Sequence, residues 1–315
     1  MTQTINKVKT RRIIVEDDDL IDLFSGLQVS FPNSVEDISH FFSISKKNTN
    51  DKVNKIRETI IEHILSIPDS FINHPKYGSK WSSIKCEFCN VMDLQNVSGV
   101  DIKKRAGRQY NYDFLLSKTD SEIKIEFKFN CNSIFKLPQI IQISDNTLFR
   151  YSYAEFYYDE YLKKLCHDLD IDIIPTREEY IKLIYKTEVK VHPLFEQLKD
   201  CYKKSLEDKK KIKNASEESI RCYLEKYYRH LNLSKLSDYL LKAIDKTFLL
   251  WYKTKFIKQD IQDQFKRINI ISIKNDNTII VQSKYEYHLL LRWKNYIGIL
   301  NPAWQISIKE ITKQK

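Results

Sequence analysis

"NYDFLLSKTDSEIKIEFKFN", residues 111–130, joins a short aromatic segment, a polar turn and a segment of strict apolar–polar alternation. In the second segment the apolar side chains fall on one face and Glu126 and Lys128 on the other, because side chains alternate along a strand. The turn "SKTDS" predicts an antiparallel hairpin, which brings Asp113 beside the second strand. The stretch therefore predicts two acids and one amine on neighbouring strands.

Two carboxylates and a lysine on one face suit phosphodiester hydrolysis. That reaction needs a nucleophilic water, neutralisation of charge on the phosphate and help for the leaving oxygen, and a divalent cation can supply all three. Mg²⁺ prefers oxygen ligands and keeps several waters, so two carboxylates and one carbonyl suffice on the protein side. A lysine beside the ion can orient the water or stabilise charge. The alternative is an ordinary hairpin with a polar outer face.

The triplet Glu-x-Lys is common in a chain in which 30% of residues are charged, and it occurs elsewhere in the chain as well. The copy at 207–209 lies in "SLEDKKKIK", a charge run without a strand pattern. The copy at 188–190 lies in "KTEVKVHP", and the helix-like "REEYIKLIY" separates it from the preceding Asp172. Of the copies at 126–128, 188–190 and 207–209, only the first combines an alternating strand, an apolar inner face and an acid on an adjoining strand.

This arrangement resembles the PD-(D/E)xK nuclease superfamily, which includes many restriction enzymes, resolvases and repair nucleases. Its motif is an Asp at the start of one core strand and Asp/Glu-x-Lys on the next, and Asp113, Glu126 and Lys128 match those positions. Tyr112 stands where the motif has Pro. The resemblance covers about residues 51–165 and implies an α+β fold, with a restriction-endonuclease-like mixed-sheet core and an additional mostly helical region.

The resemblance also implies an activity, that of a metal-dependent DNA endonuclease of restriction-like or homing-like type. Asp113 and Glu126 would bind Mg²⁺, for which Mn²⁺ substitutes, and the Phe127 carbonyl would complete the protein ligands. Lys128 would orient the attacking water.

Members of the superfamily carry a helix before these strands, and some direct a further acid from it toward the metal. Apolar residues at spacings of three and four predict such a helix at about 52–66. Glu58 and Glu62 are its candidate acids, and Glu58 lies closer to the edge of the apolar stripe. In the loop before the hairpin, Asp101 is the rival to Asp113 as first acid.

Four basic residues crowd just ahead of the hairpin: Lys103, Lys104, Arg105 and Arg108. They would hold a phosphate backbone through charge, independently of its sequence, and a mobile surface loop is the alternative. Gln139 is a candidate for substrate contact, as is Gln142, because some members use a Gln after the lysine strand.

The whole chain is basic, with a formal net charge of +10 over 315 residues. Such an excess favours a nucleic-acid partner, and a solvated lysine surface is the alternative. No run reaches the roughly 18 apolar residues of a membrane helix, and no apolar signal core follows the N-terminus. We therefore expect an intracellular protein without a membrane partner and with reduced cysteines. Cys86 and Cys89 form a CxxC pair without the second pair of a zinc site.

The order of the predicted elements divides the chain into four parts. They are an N-terminal arm (1–50), the nuclease-like core (51–165), a helical region for DNA recognition or dimerisation (166–265) and C-terminal strands that are candidates to complete the core sheet (266–315). Cutting both strands of duplex DNA favours a homodimer. A non-catalytic nucleic-acid-binding protein and an RNA-directed nuclease are the alternative functions.

Overall fold

The computed structural model describes residues 54, 57–58, 61–62, 65, 78–94, 101–105, 110–118, 121–186, 192–253, 255–294, 297–298 and 301–311. The described helices are α1 (Gly78–Val91), α2 (Asp145–Leu148), α3 (Tyr153–Tyr157), α4 (Lys163–Asp168), α5 (Arg177–Ile184), α6 (Pro193–Lys204), α7 (Leu206–Tyr227) and α8 (Leu233–Ile244). The described strands are β1 (Ile102–Lys104), β2 (Phe114–Lys118), β3 (Ser121–Phe129), β4 (Ile141–Ser144), β5 (Thr247–Tyr252), β6 (Lys255–Asp260), β7 (Asn269–Lys274), β8 (Thr278–Gln282), β9 (Glu286–Trp293) and β10 (Pro302–Lys309). The predicted α+β class is confirmed. The predicted N-terminal arm lies outside the described residues.

The chain forms two units, and the first is discontinuous in sequence. It takes the described residues up to Ile134 and then Ile244–Gln262, whereas the second takes Phe135–Ala243 and the residues from Asp263 onward. The predicted limits of 51–165, 166–265 and 266–315 differ from this division. The chain leaves the first unit soon after β3 and returns to it at the end of α8. The helices α2 to α7 therefore lie, in sequence, between the two parts of the first unit.

The sheet of the first unit has the order β1-β2-β3-β5-β6. β3 pairs in parallel with β5, and the other neighbours are antiparallel. β5, "TFLLWY", is buried at every residue except Tyr252. The region 166–265, which the sequence predicts to be mostly helical, therefore also contains the strands β5 and β6. A central strand covered on both faces reads as a continuous apolar run and lacks the period-two signal of a half-exposed strand.

Aromatic side chains fill the apolar face of this sheet. The Phe127 ring lies 5.0 Å from that of Phe114 and 6.1 Å from that of Phe256, centroid to centroid. α1 covers β6, where Phe88 meets Phe256 at 6.0 Å and Glu87 Oε1 accepts the Phe256 N–H at 2.9 Å. Because β3 alternates, this packing leaves its polar residues on the opposite face.

The second unit has an antiparallel sheet of order β4-β10-β9-β8-β7. The C-terminal strands are strands, as predicted, but β10 pairs with β4 and not with the first sheet. Their predicted role in completing the core sheet is therefore wrong. Asn275 and Asp276 join β7 to β8 with φ of 51° and 57°. Positive φ at two central residues is the requirement of a tight hairpin turn, which Asn and Asp tolerate.

Buried hydroxyl groups link the helices and strands of the second unit. The Tyr153 hydroxyl lies 2.8 Å from Ser219 Oγ and accepts the Trp293 indole N–H at 3.2 Å. The Tyr180 hydroxyl donates to the Gly298 carbonyl at 3.1 Å. These bonds satisfy the polar ends of large buried rings. None of the described helices is long and apolar enough to cross a membrane.

Candidate functional site

The ends of β2 and β3 bring Asp113 against the polar face of β3. Phe114 pairs with Ile125, so Asp113 lies one residue before the start of β2. Its N–H donates to the Ile125 carbonyl at 2.9 Å, and its Oδ2 accepts the Phe127 N–H at 2.9 Å. The hairpin that the sequence predicts is present, and it sets the Asp113 carboxylate beside the 126–128 segment.

Glu126 receives an ammonium group on each of its two oxygens. Lys128 Nζ donates to Oε1, and Lys246 Nζ donates to Oε2 at 2.8 Å. Burial alone would raise the pKa of Glu126, but Lys128 and Lys246 outweigh it and hold that pKa below its ordinary value. Burial alone would lower the pKa of Lys128, but Glu126 and then Asp113 outweigh it and raise that pKa. Both groups are therefore charged at neutral pH.

Glu58 is brought to the same place by the predicted helix, whose described residues are helical. Glu58 is buried, as are Arg57 and Ile61 of the same helix. Glu58 therefore lies on the buried face of this helix, whereas the sequence placed it near the edge of the apolar stripe. Glu58 Oε2 accepts no hydrogen bond from any described residue, and it lies 3.8 Å from Lys104 Nζ. Burial, reinforced by Asp113, raises the pKa of Glu58 to about 7.

Asp113 is electrostatically linked to the same acids. Burial raises its pKa to about 6, the Glu126 charge adds to the rise, and Lys128 and the Phe127 N–H oppose it. These interactions define what we call the acid–lysine cluster. Its members are Glu58, Asp113, Glu126, Lys104, Lys128 and Lys246.

The backbone of Phe127 also faces Asp113. Within an antiparallel pair, the N–H and C=O of one residue point to the same side of the strand. Since the Phe127 N–H reaches Asp113 Oδ2, the Phe127 carbonyl lies on that edge as well, beyond the Phe114–Ile125 pair where β2 begins. The Phe127 carbonyl, the predicted third oxygen ligand, is thus on the same edge of β3 as the Asp113 carboxylate.

The two rival acids lie elsewhere. Glu62 Oε1 accepts the Lys104 N–H at 2.8 Å, so it fixes the backbone of β1. The Asp101 side chain is 56% exposed and lies 3.7 Å from Lys103 Nζ. Of the two acids considered for the first position, the structure places Asp113 in the cluster.

The predicted basic residues are only partly brought to this site. β1 pairs with β2, and the Arg105 N–H donates to the Asp113 carbonyl at 2.7 Å, so β1 lies next to the first acid. The Arg105 guanidinium stands 5.8 Å from the Tyr110 ring, and the side chain of Lys103 is 57% exposed. Arg108 lies outside the described residues. The two glutamines proposed for substrate contact belong to the second unit, where both are exposed: Gln139 and Gln142.

The donor set of the cluster fits a hard divalent cation. Three carboxylates and a carbonyl are the oxygen ligands that Mg²⁺ prefers, and the buried Glu58 oxygen lacks a hydrogen-bond donor among the described residues. No group of three or more His, Cys, Asp and Glu among the described residues is already arranged as a ligand cluster. Ammonium groups hold both Glu126 oxygens, and a peptide N–H holds one oxygen of Asp113. Ligation would therefore require side chains to rotate.

Lys246 is the member of the cluster that the sequence analysis missed. It lies between α8 and β5, 120 residues along the chain from Glu126, in the segment "AIDKTFLL". No local motif marks it. Recognising β5 as a parallel neighbour of β3 would have pointed to it, because the residue before β5 then lies beside the Glu126 strand.

No protein-family model, curated protein or solved structure matches this chain.

Proposed function

We propose that this chain is a metal-dependent nuclease that hydrolyses phosphodiester bonds in DNA. The observation that carries the proposal is the convergence of Asp113, Glu126, Glu58 and Lys128 on the polar face of β3, the central strand of the first sheet. This is the residue set that the resemblance to the PD-(D/E)xK superfamily implies.

Each residue has a role that follows from its position. Asp113, Glu126 and the Phe127 carbonyl would hold Mg²⁺ or Mn²⁺, with Glu58 as a further acid. When bound, the cation supplies charge neutralisation at the phosphate and a water of lowered pKa. Lys128, whose side chain is 30% exposed, would orient the attacking water.

The neighbouring surface supports a polyanionic substrate. Lys103 is exposed on β1, which pairs with β2, the strand that directly follows Asp113. The Arg105 guanidinium lies 5.8 Å from the ring of Tyr110. Lysine and arginine neutralise backbone phosphates, and an exposed ring can stack on an unpaired base. The net charge of +10 agrees with this class of partner. Cleavage of both strands of a duplex would require two copies, so we extend the proposal to a homodimer acting on double-stranded DNA.

The test is a cleavage assay with the full chain on supercoiled plasmid, duplex oligonucleotide and RNA, with Mg²⁺, Mn²⁺ or EDTA. We expect the unaltered protein to cut DNA in the presence of Mg²⁺ or Mn²⁺ and to show no cleavage in EDTA. Glu126→Gln and Lys128→Met should each lower the rate about a thousandfold, because each removes a group that stabilises charge in the transition state. Glu122→Gln is the matched control. Because Glu122 is an exposed residue of β3, this variant should cut DNA at the rate of the unaltered protein.

A non-catalytic nucleic-acid-binding protein is the second candidate, and the pairing of both Glu126 oxygens by lysines favours it. DNA binding without cutting under every metal condition, equally strong in Glu126→Gln, would support that function and contradict the nuclease. Cutting confined to RNA would assign the substrate to the other nucleic acid.

A further inference from the structure

Lys246 is the least exposed lysine of the acid–lysine cluster. Only 4% of its side chain is exposed, against 30% for Lys128 and 25% for Lys104. Its Nζ donates to Glu126 Oε2 at 2.8 Å and to the carbonyl oxygen of Asn111, two residues before Asp113. A single ammonium group thus joins the second acid to the chain segment that carries the first.

The two lysines on Glu126 differ in their freedom to leave it. Lys128 has solvent-exposed side-chain surface, and rotation can move its ammonium group away from Oε1 toward a phosphate or a water. Lys246 is enclosed, and its Nζ stands 5.4 Å from the Phe248 ring on β5. An enclosed ammonium group with two oxygen partners would lose both hydrogen bonds by moving, at the cost of a buried unpaired charge. Oε1 is therefore the oxygen that a cation can reach, and Oε2 stays with Lys246.

Charge balance gives the enclosed lysine a second effect. The cluster pairs three carboxyl groups with three ammonium groups, so its formal charge is zero when all six are ionised. A divalent cation that enters such a site meets repulsion from each lysine that remains. Lys128 can turn away, but Lys246 cannot.

We propose that Lys246 is a positioning residue and a built-in counter-cation of Glu126, which fixes this carboxylate and weakens the binding of a divalent cation to the site. The inference rests on the proposed function, because it assumes that Glu126 is a metal ligand. In the absence of nucleic acid the site then holds its cation weakly, and Glu126 stays ordered without one.

The test is a Mn²⁺ titration of the full chain without nucleic acid, followed by the paramagnetic resonance signal of free Mn²⁺. Lys246→Met should bind Mn²⁺ about tenfold more tightly than the unaltered protein, because a charge within a few ångströms of the ion has been removed. Lys246→Arg, which keeps the charge, should bind as the unaltered protein does. Lys124→Met is the matched control: Lys124 pairs with Asp245 at 2.5 Å outside the cluster. Because solvent and salt screen this exposed pair, its loss should change the affinity less than twofold.

Cleavage kinetics test whether Lys246 positions Glu126. Lys246→Met should cut more slowly at saturating Mn²⁺, with kcat reduced and KM little changed, since Glu126 has lost its fixed partner. Tighter cation binding together with slower turnover is a combination that simple destabilisation does not produce. If the Met variant fails to fold, Lys246→Gln replaces it, because Gln removes the charge and keeps an N–H donor, although its side chain is one bond shorter.

Two results would overturn the inference. If Lys246→Met and Lys246→Gln bind Mn²⁺ no more tightly than Lys124→Met, while Glu126→Gln abolishes binding, Lys246 is not a counter-cation and the nuclease proposal stands. If the unaltered protein binds no Mn²⁺ at a site sensitive to Glu126→Gln, the metal site and the role of Lys246 fail together.

Discussion

Buried carboxyl groups in the two units have different kinds of partner. In the first unit, Glu126 is held by the ammonium groups of two lysines, the partly exposed Lys128 and the enclosed Lys246. In the second unit, Asp263 is held by neutral donors: the Phe265 N–H, the Ser283 hydroxyl, the Lys284 N–H and the Tyr287 hydroxyl. Peptide and hydroxyl donors of this kind are set by the backbone and by packed side chains, so they cannot be exchanged without local unfolding.

The contrast distinguishes a scaffold from a candidate site. Burying ion pairs costs desolvation that their mutual attraction only partly offsets, so such pairs are weak contributors to stability. A lysine that can rotate leaves its carboxylate oxygen free for another cation, whereas neutral donors occupy both oxygens of Asp263. The difference marks Glu126 as a carboxylate that can exchange one of its partners, and Asp263 as one that holds the fold of the second unit.

The largest effect is expected at the first acid. Asp113→Asn should lower the cleavage rate about a hundredfold to a thousandfold, because it removes a charged ligand while keeping an acceptor for the Phe127 N–H. Asp101→Asn, at the rival position, should cut as the unaltered protein does. Rates measured at saturating Mg²⁺ decide between them, and normal cutting by Asp113→Asn would place the chemistry elsewhere.

An intermediate effect is expected in the second unit, at Asp145. This residue is fully buried, its Oδ2 accepts the Ala154 N–H at 2.8 Å, and burial raises its pKa from 3.8 to about 7. An acid with a raised pKa in the folded state contributes stability below pH 4 that is lost as the pH rises to 7. The loss is up to about 4 kcal/mol, at about 1.4 kcal/mol per pKa unit.

Asp145→Asn should therefore flatten the fall in the free energy of unfolding between pH 4 and pH 7, and should be more stable than the unaltered protein at pH 8. Asp263→Asn is the contrasting variant: it loses an acceptor oxygen and should be less stable at every pH, by about 1–3 kcal/mol. Urea unfolding at pH 5 and pH 8 measures both. An Asp145→Asn profile parallel to that of the unaltered protein would contradict the assignment of this pH dependence to Asp145.

The smallest effect is expected for a surface ion pair. Arg177 is 44% exposed and pairs with Asp159 at 2.8 Å and Glu155 at 3.1 Å. Because solvent screens exposed pairs, Arg177→Met should cost only about 0.2–1 kcal/mol and leave cleavage unchanged. A larger loss in thermal unfolding would show that surface charge, and not only buried charge, matters to this fold.

Local sequence patterns were sufficient to predict that Asp113, Glu126 and Lys128 lie together. Alternation along β3 separates Glu126 and Lys128 from the apolar residues, and a short turn places Asp113 beside them; the structure has both features. The C-terminal strands were predictable for the same reason, since their alternation and turn residues are encoded within each hairpin.

Long-range pairing was not predictable in this way. β5 is buried on both faces and follows the amphipathic run of α8, so nothing local separates the strand from the helix. Its parallel partner β3 lies more than a hundred residues earlier, and parallel strands carry no turn signal between them. Without β5 there was no reason to consider Lys246, and the discontinuous limits of the first unit were missed with it.

Anomalous diffraction from crystals soaked in MnCl₂ tests the central claim most directly. The account predicts a manganese ion bound by the carboxylates of Asp113 and Glu126, with Lys128 turned away from Glu126 and Lys246 still attached to it. Crystals at saturating Mn²⁺ that show no anomalous density there, and both lysines still on Glu126, would contradict it.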